Sequence, residues 1–227
     1  MRTADILKKR GVFITLEGID GTGKSTQLAL LAQYLAKCGY KVKATREPGG
    51  TRVGEQIRDI LLASNTGKLA PLAELTLMYA ARAQHLEKVV RPALRQGELV
   101  VSDRFSDASM AYQGYGRRLG AATVRAIDRI ICGPTKPALT LVLDLTPRIA
   151  LARAREREIR QKSRHGRFEA QGLRFQERVR RGYLAVAKQE PKRVKLINAD
   201  QSVAAVHNEI RRLVDLFLAK RGTPPKI

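Results

Sequence analysis

The chain has 227 residues, 44% of them hydrophobic, and carries a formal net charge of +22 at pH 7. This length predicts a single domain over residues 1–227 with a sizeable core. No run approaches the ~20 apolar residues of a membrane helix, and residues 1–10 form a charged extension without the apolar stretch of a secretion signal. These features exclude a membrane-spanning or secreted protein, and we expect a cytoplasmic one.

The first predicted elements surround a glycine-rich loop. Residues 12–17 (VFITLE) are rich in β-branched side chains and predict a buried strand. Residues 25–38 predict a helix, because their leucines recur on one face and Gly39 stands at the C-cap position. The loop between them, residues 18–25, has the sequence GIDGTGKS and matches the phosphate-loop pattern GxxxxGK(S/T) without a mismatch.

This phosphate loop predicts an ATP site. Its glycines let backbone N–H groups point inward, and the N-terminus of the following helix adds partial positive charge. The Lys24 ammonium can reach the β- and γ-phosphates, and the Ser25 hydroxyl can bind Mg²⁺. The predicted ATP-binding residues are Gly18, Ile19, Asp20, Gly21, Thr22, Gly23, Lys24, Ser25 and Thr26.

Downstream of the first helix, the predicted strands and helices alternate. In chain order they are a strand over 40–45, helices over 53–63 and 71–96, a strand over 99–102, a helix over 121–131, a strand over 139–145, helices from 147 and over 168–189, a strand over 193–197 and a helix over 201–220. Glycines predict a mobile segment over 113–120. Clustered charges over 157–167 predict flexibility in a lid that spans about 153–167, and we expect residues 221–227 to be a flexible tail.

This alternation predicts an α/β fold, a three-layer α/β/α arrangement with a five-stranded parallel sheet of the P-loop NTPase type. Such sheets bind ligands beyond the C-terminal ends of their strands. The residues that follow the predicted strands are therefore the candidates for a site. They are residues 17–25, 46–51, 103–104, 144 onward and 198–200.

Six further segments match one kinase family in both order and spacing. They are REPGGT at 46–51, YAARAQ at 79–84, SDRF at 102–105, AYQG at 111–114, LDLTP at 143–147 and RVRRGYL at 178–184. With these segments and the acidic Asp20 in the phosphate loop, the chain resembles bacterial thymidylate kinases over nearly its whole length. The resemblance implies transfer of the γ-phosphoryl group of ATP to dTMP with Mg²⁺, by a homodimer.

The resemblance also implies an acceptor site. It assigns Arg58 and Arg104 to the dTMP phosphate and Arg82 to the O4 edge of thymine. It assigns Asp20 to the 3′-hydroxyl of the sugar and places Asp103 near Mg²⁺, directly or through water. The complete set of implied substrate-binding residues is Asp20, Glu47, Arg58, Met78, Arg82, Arg104, Ser109, Tyr112 and Gln113, of which Ser109 and Gln113 face the base and Tyr112 stacks under the sugar.

The phosphate loop carries no basic residue other than Lys24, whereas the lid segment is rich in arginine. The chain therefore resembles thymidylate kinases that place a catalytic arginine in the lid. Such an arginine contacts the phosphoryl group in transfer, and in other enzymes this contact is worth roughly 10³-fold or more in rate. Arg153 is the first candidate and Arg157 the second, so the predicted catalytic set is Lys24, Arg104, Arg153 and Arg157.

One position departs from the family pattern. The residue four before Arg82, which is usually an aromatic that stacks on thymine, is Met78 here. A thioether packs against a base less specifically than a ring does. We therefore expect weaker thymine binding or a broader tolerance of bases.

Two other functions stay open. One is a different nucleoside monophosphate kinase with relaxed base specificity, and the other is a non-catalytic phosphate-loop protein that binds nucleotides. The charge of +22 would suit an anionic partner, or it would follow from a basic bias of the source proteome. Because no aromatic residues interleave with the basic ones, we do not expect a nucleic-acid partner.

Overall fold

The fold is built on a parallel sheet. A computed structural model describes residues 11–63, 67–161, 168 and 171–222, without the side chains of residues 157, 158, 160 and 161. The strands are β1 (Val12–Glu17), β2 (Val42–Arg46), β3 (Leu99–Asp103), β4 (Leu139–Asp144) and β5 (Val194–Asn198). They pair in the order β2-β3-β1-β4-β5, and every pairing is parallel. The predicted fold class is confirmed.

Helices cover both faces of the sheet. They are α1 (Lys24–Lys37), α2 (Arg52–Leu62), α3 (Pro71–His85), α4 (Arg91–Arg95), α5 (Ser106–Ser109), α6 (Ala121–Ile131), α7 (Pro147–Gln161), α8 (Leu173–Gln189) and α9 (Val203–Lys220). π-helical turns occupy Leu86–Val90 and Met110–Gly116. No helix in the described part of the chain is long and apolar enough to cross a membrane.

The alternation of side chains on β1 explains the three layers. Successive residues of a strand point to opposite faces of the sheet. Phe13 belongs to the core cluster that holds side chains of α3 and α6, whereas Ile14 and Leu16 belong to the one that holds side chains of α1 and α9. All six residues of β1 are buried, as a central strand with helices on both faces requires.

The prediction of a mobile segment over residues 113–120 is wrong for its first half. Its first four residues complete the π-helical turn Met110–Gly116, which packs against α8. A Cβ at Gly116 would lie 2.9 Å from both Phe175 Cε2 and Val179 Cγ2. The glycine therefore permits close packing of two helices, and its presence was misread as a sign of mobility.

The helix boundaries differ around the predicted lid. α7 continues through residue 161, so residues 157–161 are helical and not irregular. α8 begins at Leu173 and not at residue 168, because Gly172 adopts a positive φ of 79° that a helix cannot contain. The predicted lid residues 162–167 and the predicted tail beyond residue 222 lie outside the described residues.

Candidate active site

A cavity of about 600 Å³ opens at the C-terminal ends of the strands, where the sequence placed the site. The residues that line it come from the phosphate loop and the start of α1, the end of β2 and the loop after it, helices α2 and α3, the end of β3 and the segment after it, α7, and position 168. They are Asp20, Gly21, Gly23, Lys24, Ser25, Thr26, Arg46, Glu47, Pro48, Arg58, Leu62, Met78, Arg82, Asp103, Arg104, Ala108, Ser109, Tyr112, Gln113, Arg153 and Phe168. Six of these described residues are basic and three are acidic, which suits an anionic ligand.

The phosphate loop has the backbone geometry that its glycines permit. Gly18, Gly21 and Gly23 adopt φ angles of 133°, 86° and 88°, which side chains disfavour. A Cβ at Gly21 would lie 2.0 Å from the carbonyl oxygen of Ala150 in α7, so glycine is required there for space as well. The loop leads directly into α1, whose first residues Lys24, Ser25 and Thr26 line the cavity. The N-terminus of a helix favours bound anions.

The Lys24 ammonium is buried and folds back on the loop. Its Nζ donates a hydrogen bond to the carbonyl oxygen of Ile19 at 2.8 Å. Burial and the nearby Arg104 guanidinium lower the pKa of Lys24 to about 8, although Asp20, Asp103 and Glu17 act in the opposite direction. An anionic phosphate at this position would restore the charged form.

The two predicted Mg²⁺ ligands lie together. The Ser25 hydroxyl donates to Asp103 Oδ2 at 2.8 Å, because α1 begins beside the C-terminal end of β3. A hydroxyl and a carboxylate are the hard oxygen donors that Mg²⁺ prefers. Within the described residues, no group of three or more His, Cys, Asp and Glu side chains could hold a metal by itself. The pair therefore fits an ion that also takes oxygens from phosphate and water.

Arg104 lines the part of the cavity that is predicted to bind the acceptor. Its Nη1 donates to the Gly18 carbonyl oxygen at 2.9 Å and to the Tyr183 hydroxyl at 3.1 Å. Its Nη2 donates to Asp20 Oδ1 at 2.7 Å and to the Tyr112 hydroxyl at 3.1 Å. Its backbone φ is 75°, which is uncommon for any residue other than glycine. The surroundings therefore hold this arginine in one orientation at a cost in backbone strain.

A carboxyl group lies directly behind Arg104. Glu17, at the end of β1, accepts hydrogen bonds from the Phe105 amide at 2.7 Å and the Tyr183 hydroxyl at 2.9 Å. Complete burial and the neighbouring Asp107 raise the pKa of Glu17 to about 8, while Arg104 and both hydrogen bonds favour the carboxylate. Sequence reasoning assigned no role to this residue, although an acidic residue at the end of an otherwise apolar strand is a visible signal.

Arg82 is buried in a network with Glu47. Its Nε donates to Glu47 Oε2 at 2.7 Å, while Nη1 donates to Ser109 Oγ and Nη2 to the Phe105 carbonyl oxygen. The other Glu47 oxygen lies 2.8 Å from His85 Nδ1. Although burial acts to raise the pKa of Glu47, Arg82 and His85 outweigh it and hold that pKa below its ordinary value. Glu47 therefore orients Arg82 at the wall of the cavity.

Other predicted substrate-binding residues, and the predicted catalytic Arg153, also line the cavity. Gln113 is buried, and its Nε2 donates to Glu74 Oε1 at 2.9 Å. Met78 is partly buried. Arg58 Nη1 donates to the Pro48 carbonyl oxygen at 2.8 Å, and Arg153 Nη1 donates to the Ala199 carbonyl oxygen at 3.2 Å.

The structure thus brings most of the predicted site residues to one cavity. Three residues of the phosphate loop do not line the cavity: Gly18, Ile19 and Thr22. The side chain of Arg157 is outside the described residues. Sequence reasoning missed the individual contributions of Leu62, Ala108 and Phe168, which are apolar and carry no motif.

Comparisons with known proteins agree with this geometry. A family model described as thymidylate kinase matches residues 16–210. The chain belongs to the thymidylate kinase family. It is 45% identical to a thymidylate kinase of Desulfovibrio desulfuricans over 93% of this chain and 98% of the relative. It is 48% identical to one of Pseudomonas entomophila over 92% of this chain and 98% of the relative.

A solved thymidylate kinase has the same fold. The crystal structure of thymidylate kinase from Ehrlichia chaffeensis matches with a TM-score of 0.72 and 32% sequence identity, over 90% of this chain and 98% of that one. The family match, residues 16–210, includes the phosphate loop and every described residue that lines the cavity.

Proposed function

We propose that this chain transfers the γ-phosphoryl group of ATP to dTMP and forms dTDP and ADP. The observation that supports it is a single cavity that joins a phosphate loop to an arginine-lined acceptor half. Phosphoryl transfer needs little covalent chemistry from the protein, which must align the two substrates and neutralise charge. Membership of the thymidylate kinase family supplies the identity of the acceptor.

The donor half would hold ATP and Mg²⁺. Backbone N–H groups of the phosphate loop would bind the phosphates, and Lys24 would supply a charge near the β- and γ-phosphates. Ser25 and Asp103 would hold Mg²⁺, with Asp103 acting directly or through water. The ion, when bound, neutralises charge on the phosphate oxygens.

The acceptor half would hold dTMP by charge at one end and by polar contacts at the other. Arg58 and Arg104 would bind its phosphate, and Asp20, which already pairs with Arg104, would accept from the 3′-hydroxyl. At the base end, Glu47 holds Arg82 against Ser109, so the three residues form one polar edge for thymine.

The remaining base-end and lid residues have separate roles. Gln113 would contribute to the base pocket, and Tyr112 would pack under the sugar, where its ring already stacks with Arg104 at 4.8 Å. Arg153 would contact the transferring phosphoryl group, because it lines the cavity from α7 on the side next to Gly21. Arg157, one turn further along α7, is the second candidate for that contact.

We also propose a homodimer in the cytoplasm. Large apolar side chains are exposed on α2 (Val53 and Ile60), at the start of α3 (Leu72) and on α6 (Ile130). α3 packs against both α2 and α6, and a second copy bound at these neighbouring helices would cover their exposed apolar side chains. The cytoplasmic location is supported by the use of ATP and by two buried free cysteines, Cys38 and Cys132.

A second candidate function is a monophosphate kinase with broader base tolerance, and Met78 favours it. A flexible thioether stands in the cavity wall where the family usually has a ring. Turnover of dTMP, dUMP and purine monophosphates, measured as ADP release, separates the two functions. We expect dTMP to give the highest kcat/KM.

The variant Met78→Phe tests the role of this position. An added ring should raise kcat/KM for dTMP roughly two- to tenfold, the usual worth of an aromatic stack. Met78→Leu is the matched control, because it changes the side chain without adding a ring. A lack of gain in Met78→Phe, or an equal gain in both variants, would show that the missing ring does not limit thymine binding.

A further inference from the structure

Two buried side chains that make no contact with the cavity hold Arg104 from behind. Glu17 is fully buried at the end of β1, and Tyr183 is 2% exposed on α8. The Tyr183 hydroxyl lies 3.1 Å from Arg104 Nη1 and 2.9 Å from Glu17 Oε2. A guanidinium can only donate, so the Tyr183 oxygen accepts from Arg104 and its own hydrogen is available to Glu17.

Glu17 also fixes the backbone beside Arg104. The amide that donates to Glu17 Oε1 at 2.7 Å is that of Phe105, the next residue. Arg104 itself has a φ of 75°, a conformation that persists only where the surroundings impose it. Glu17 therefore holds the chain on the C-terminal side of Arg104 and, through Tyr183, one arm of its guanidinium.

The position of Tyr183 depends on close packing by α8. A Cβ on the preceding residue, Gly182, would lie 2.8 Å from Ala111 Cα, so this glycine lets α8 approach the π-helical turn Met110–Gly116. The Tyr183 ring packs edge-on against Tyr112 with centroids 6.4 Å apart. A phenylalanine would make the same ring contact, so the hydroxyl itself needs another explanation.

Packing alone does not explain why a carboxyl group and a hydroxyl group are buried at Glu17 and Tyr183. A buried carboxyl and a buried hydroxyl cost free energy unless they have hydrogen-bond partners, and apolar residues would fill the same space without that cost. Here the hydrogen bonds of Glu17 and Tyr183 connect to Arg104 or to the backbone beside it. We propose that Glu17 and Tyr183 are positioning residues that orient Arg104 toward the phosphate of the acceptor nucleotide.

This inference rests on the proposed function only where it names that phosphate. The Tyr183→Phe variant tests it, because it removes one hydroxyl and keeps the ring. We expect KM for dTMP to rise about tenfold or more, as for a lost hydrogen bond to a charged group, while KM for ATP stays within about twofold. The matched control is Tyr34→Phe, which removes a hydroxyl that donates to Asp215 between α1 and α9.

Glu17→Leu provides a second variant. It removes both oxygens that accept from the Phe105 amide and the Tyr183 hydroxyl, so the hydrogen of the tyrosine hydroxyl loses its acceptor. We expect the same selective rise in KM for dTMP, and the double variant should show little additional rise because both changes break one chain of hydrogen bonds. Additive effects, or equal rises in KM for both substrates, would overturn the proposal.

A crystal structure of Tyr183→Phe separates a failure of this inference from a failure of the proposed function. The proposal requires that the Arg104 guanidinium in the variant lose its hydrogen bond to the Gly18 carbonyl oxygen or to Asp20. This expectation does not depend on which nucleotide is the acceptor. An unchanged Arg104 would refute the positioning role even if the wild type phosphorylates dTMP. A displaced Arg104 in a protein without dTMP turnover would refute only the proposed acceptor.

Discussion

Lys24 shows at the residue scale how burial prepares a binding site. Its pKa is lowered to about 8 by burial and by Arg104, so the free protein loses the Lys24 charge as the pH rises through 8. Bound phosphates favour the ammonium form. ATP binding above pH 8 must therefore include the uptake of a proton.

This coupling predicts a pH dependence with a definite sign. The affinity for ATP should fall as the pH rises from 7.5 to 9, and at pH 9 binding should take up close to one proton. Isothermal titration calorimetry in two buffers of different ionisation enthalpy measures that uptake, and pH 6.5 is the control, where Lys24 is already charged. Binding at pH 9 without proton uptake would contradict this account of Lys24.

Glu17 has the opposite kind of shift, and its effect is on stability. Its pKa is raised from 4.5 to about 8 by burial and by Asp107, against Arg104 and the hydrogen bonds of Phe105 and Tyr183. Between these two pH values the unfolded chain releases the proton and the folded chain keeps it. The free energy of unfolding should therefore fall as the pH rises through this window.

Glu17→Gln removes that titration. The wild type should lose up to about 4 kcal/mol of unfolding free energy between pH 5 and pH 8 through this one group, and the variant should not. Urea unfolding of both proteins at the two pH values measures the difference, and other titrating groups cancel in the comparison. Parallel pH dependence of the two proteins would show that the pKa of Glu17 is not raised.

At the scale of elements, the contact between α8 and the π-helical turn Met110–Gly116 positions residues of the proposed acceptor site. The turn carries Tyr112 and Gln113, and α8 carries Tyr183. π-helical turns occur frequently at functional sites, because the extra residue changes which side chains point inward. Glycines on both sides bring the two elements together.

Gly182→Ala tests that contact. In an ordinary helix this change would stabilise the protein by about 1 kcal/mol, but here the new Cβ would lie 2.8 Å from the Ala111 backbone. We expect a loss of about 1–3 kcal/mol, measured as a lower Tm. Gly114→Ala is the control, since its nearest neighbour is the flexible Met110 sulfur at 3.2 Å. Equal Tm values for the two variants would contradict the close packing.

The sequence predicts the elements better than the contacts between them. Local patterns placed all five strands and the phosphate loop, because a buried β-branched run and a glycine motif each act over a few residues. The same local approach misread residues 113–120, where glycine serves packing against α8. It also gave no role to Glu17 and Tyr183, which are 166 residues apart in sequence and meet only in the fold.

The site residues also divide into those that a short motif predicts and those that only the fold brings together. Motif residues such as Lys24, Ser25 and Arg104 were predicted because their chemistry is tied to a short pattern. The partners that orient them come from distant elements, as with His85 of α3 behind Glu47. No pattern in the sequence shows that such partners are near one another.

At the scale of the whole molecule, the cavity accounts for only a small part of the net positive charge. The described residues that line the cavity include six basic and three acidic side chains, a small share of the net +22. Much of the rest is exposed, as with Arg118 and Arg181, which lie near Arg178 and help to lower its pKa. The cavity needs its cations for two anionic substrates, and the wider surplus has no such explanation in the structure.

We propose that both halves of the cavity act in one reaction, in which ATP phosphorylates dTMP. A coupled assay of ADP release by the full chain tests it most directly, with Lys24→Met as the inactive control. We predict ADP release that requires dTMP and Mg²⁺ together and that is lost in Lys24→Met. Binding of ATP without ADP release in the presence of dTMP would contradict the claim and would leave a non-catalytic nucleotide-binding protein or a kinase with another acceptor.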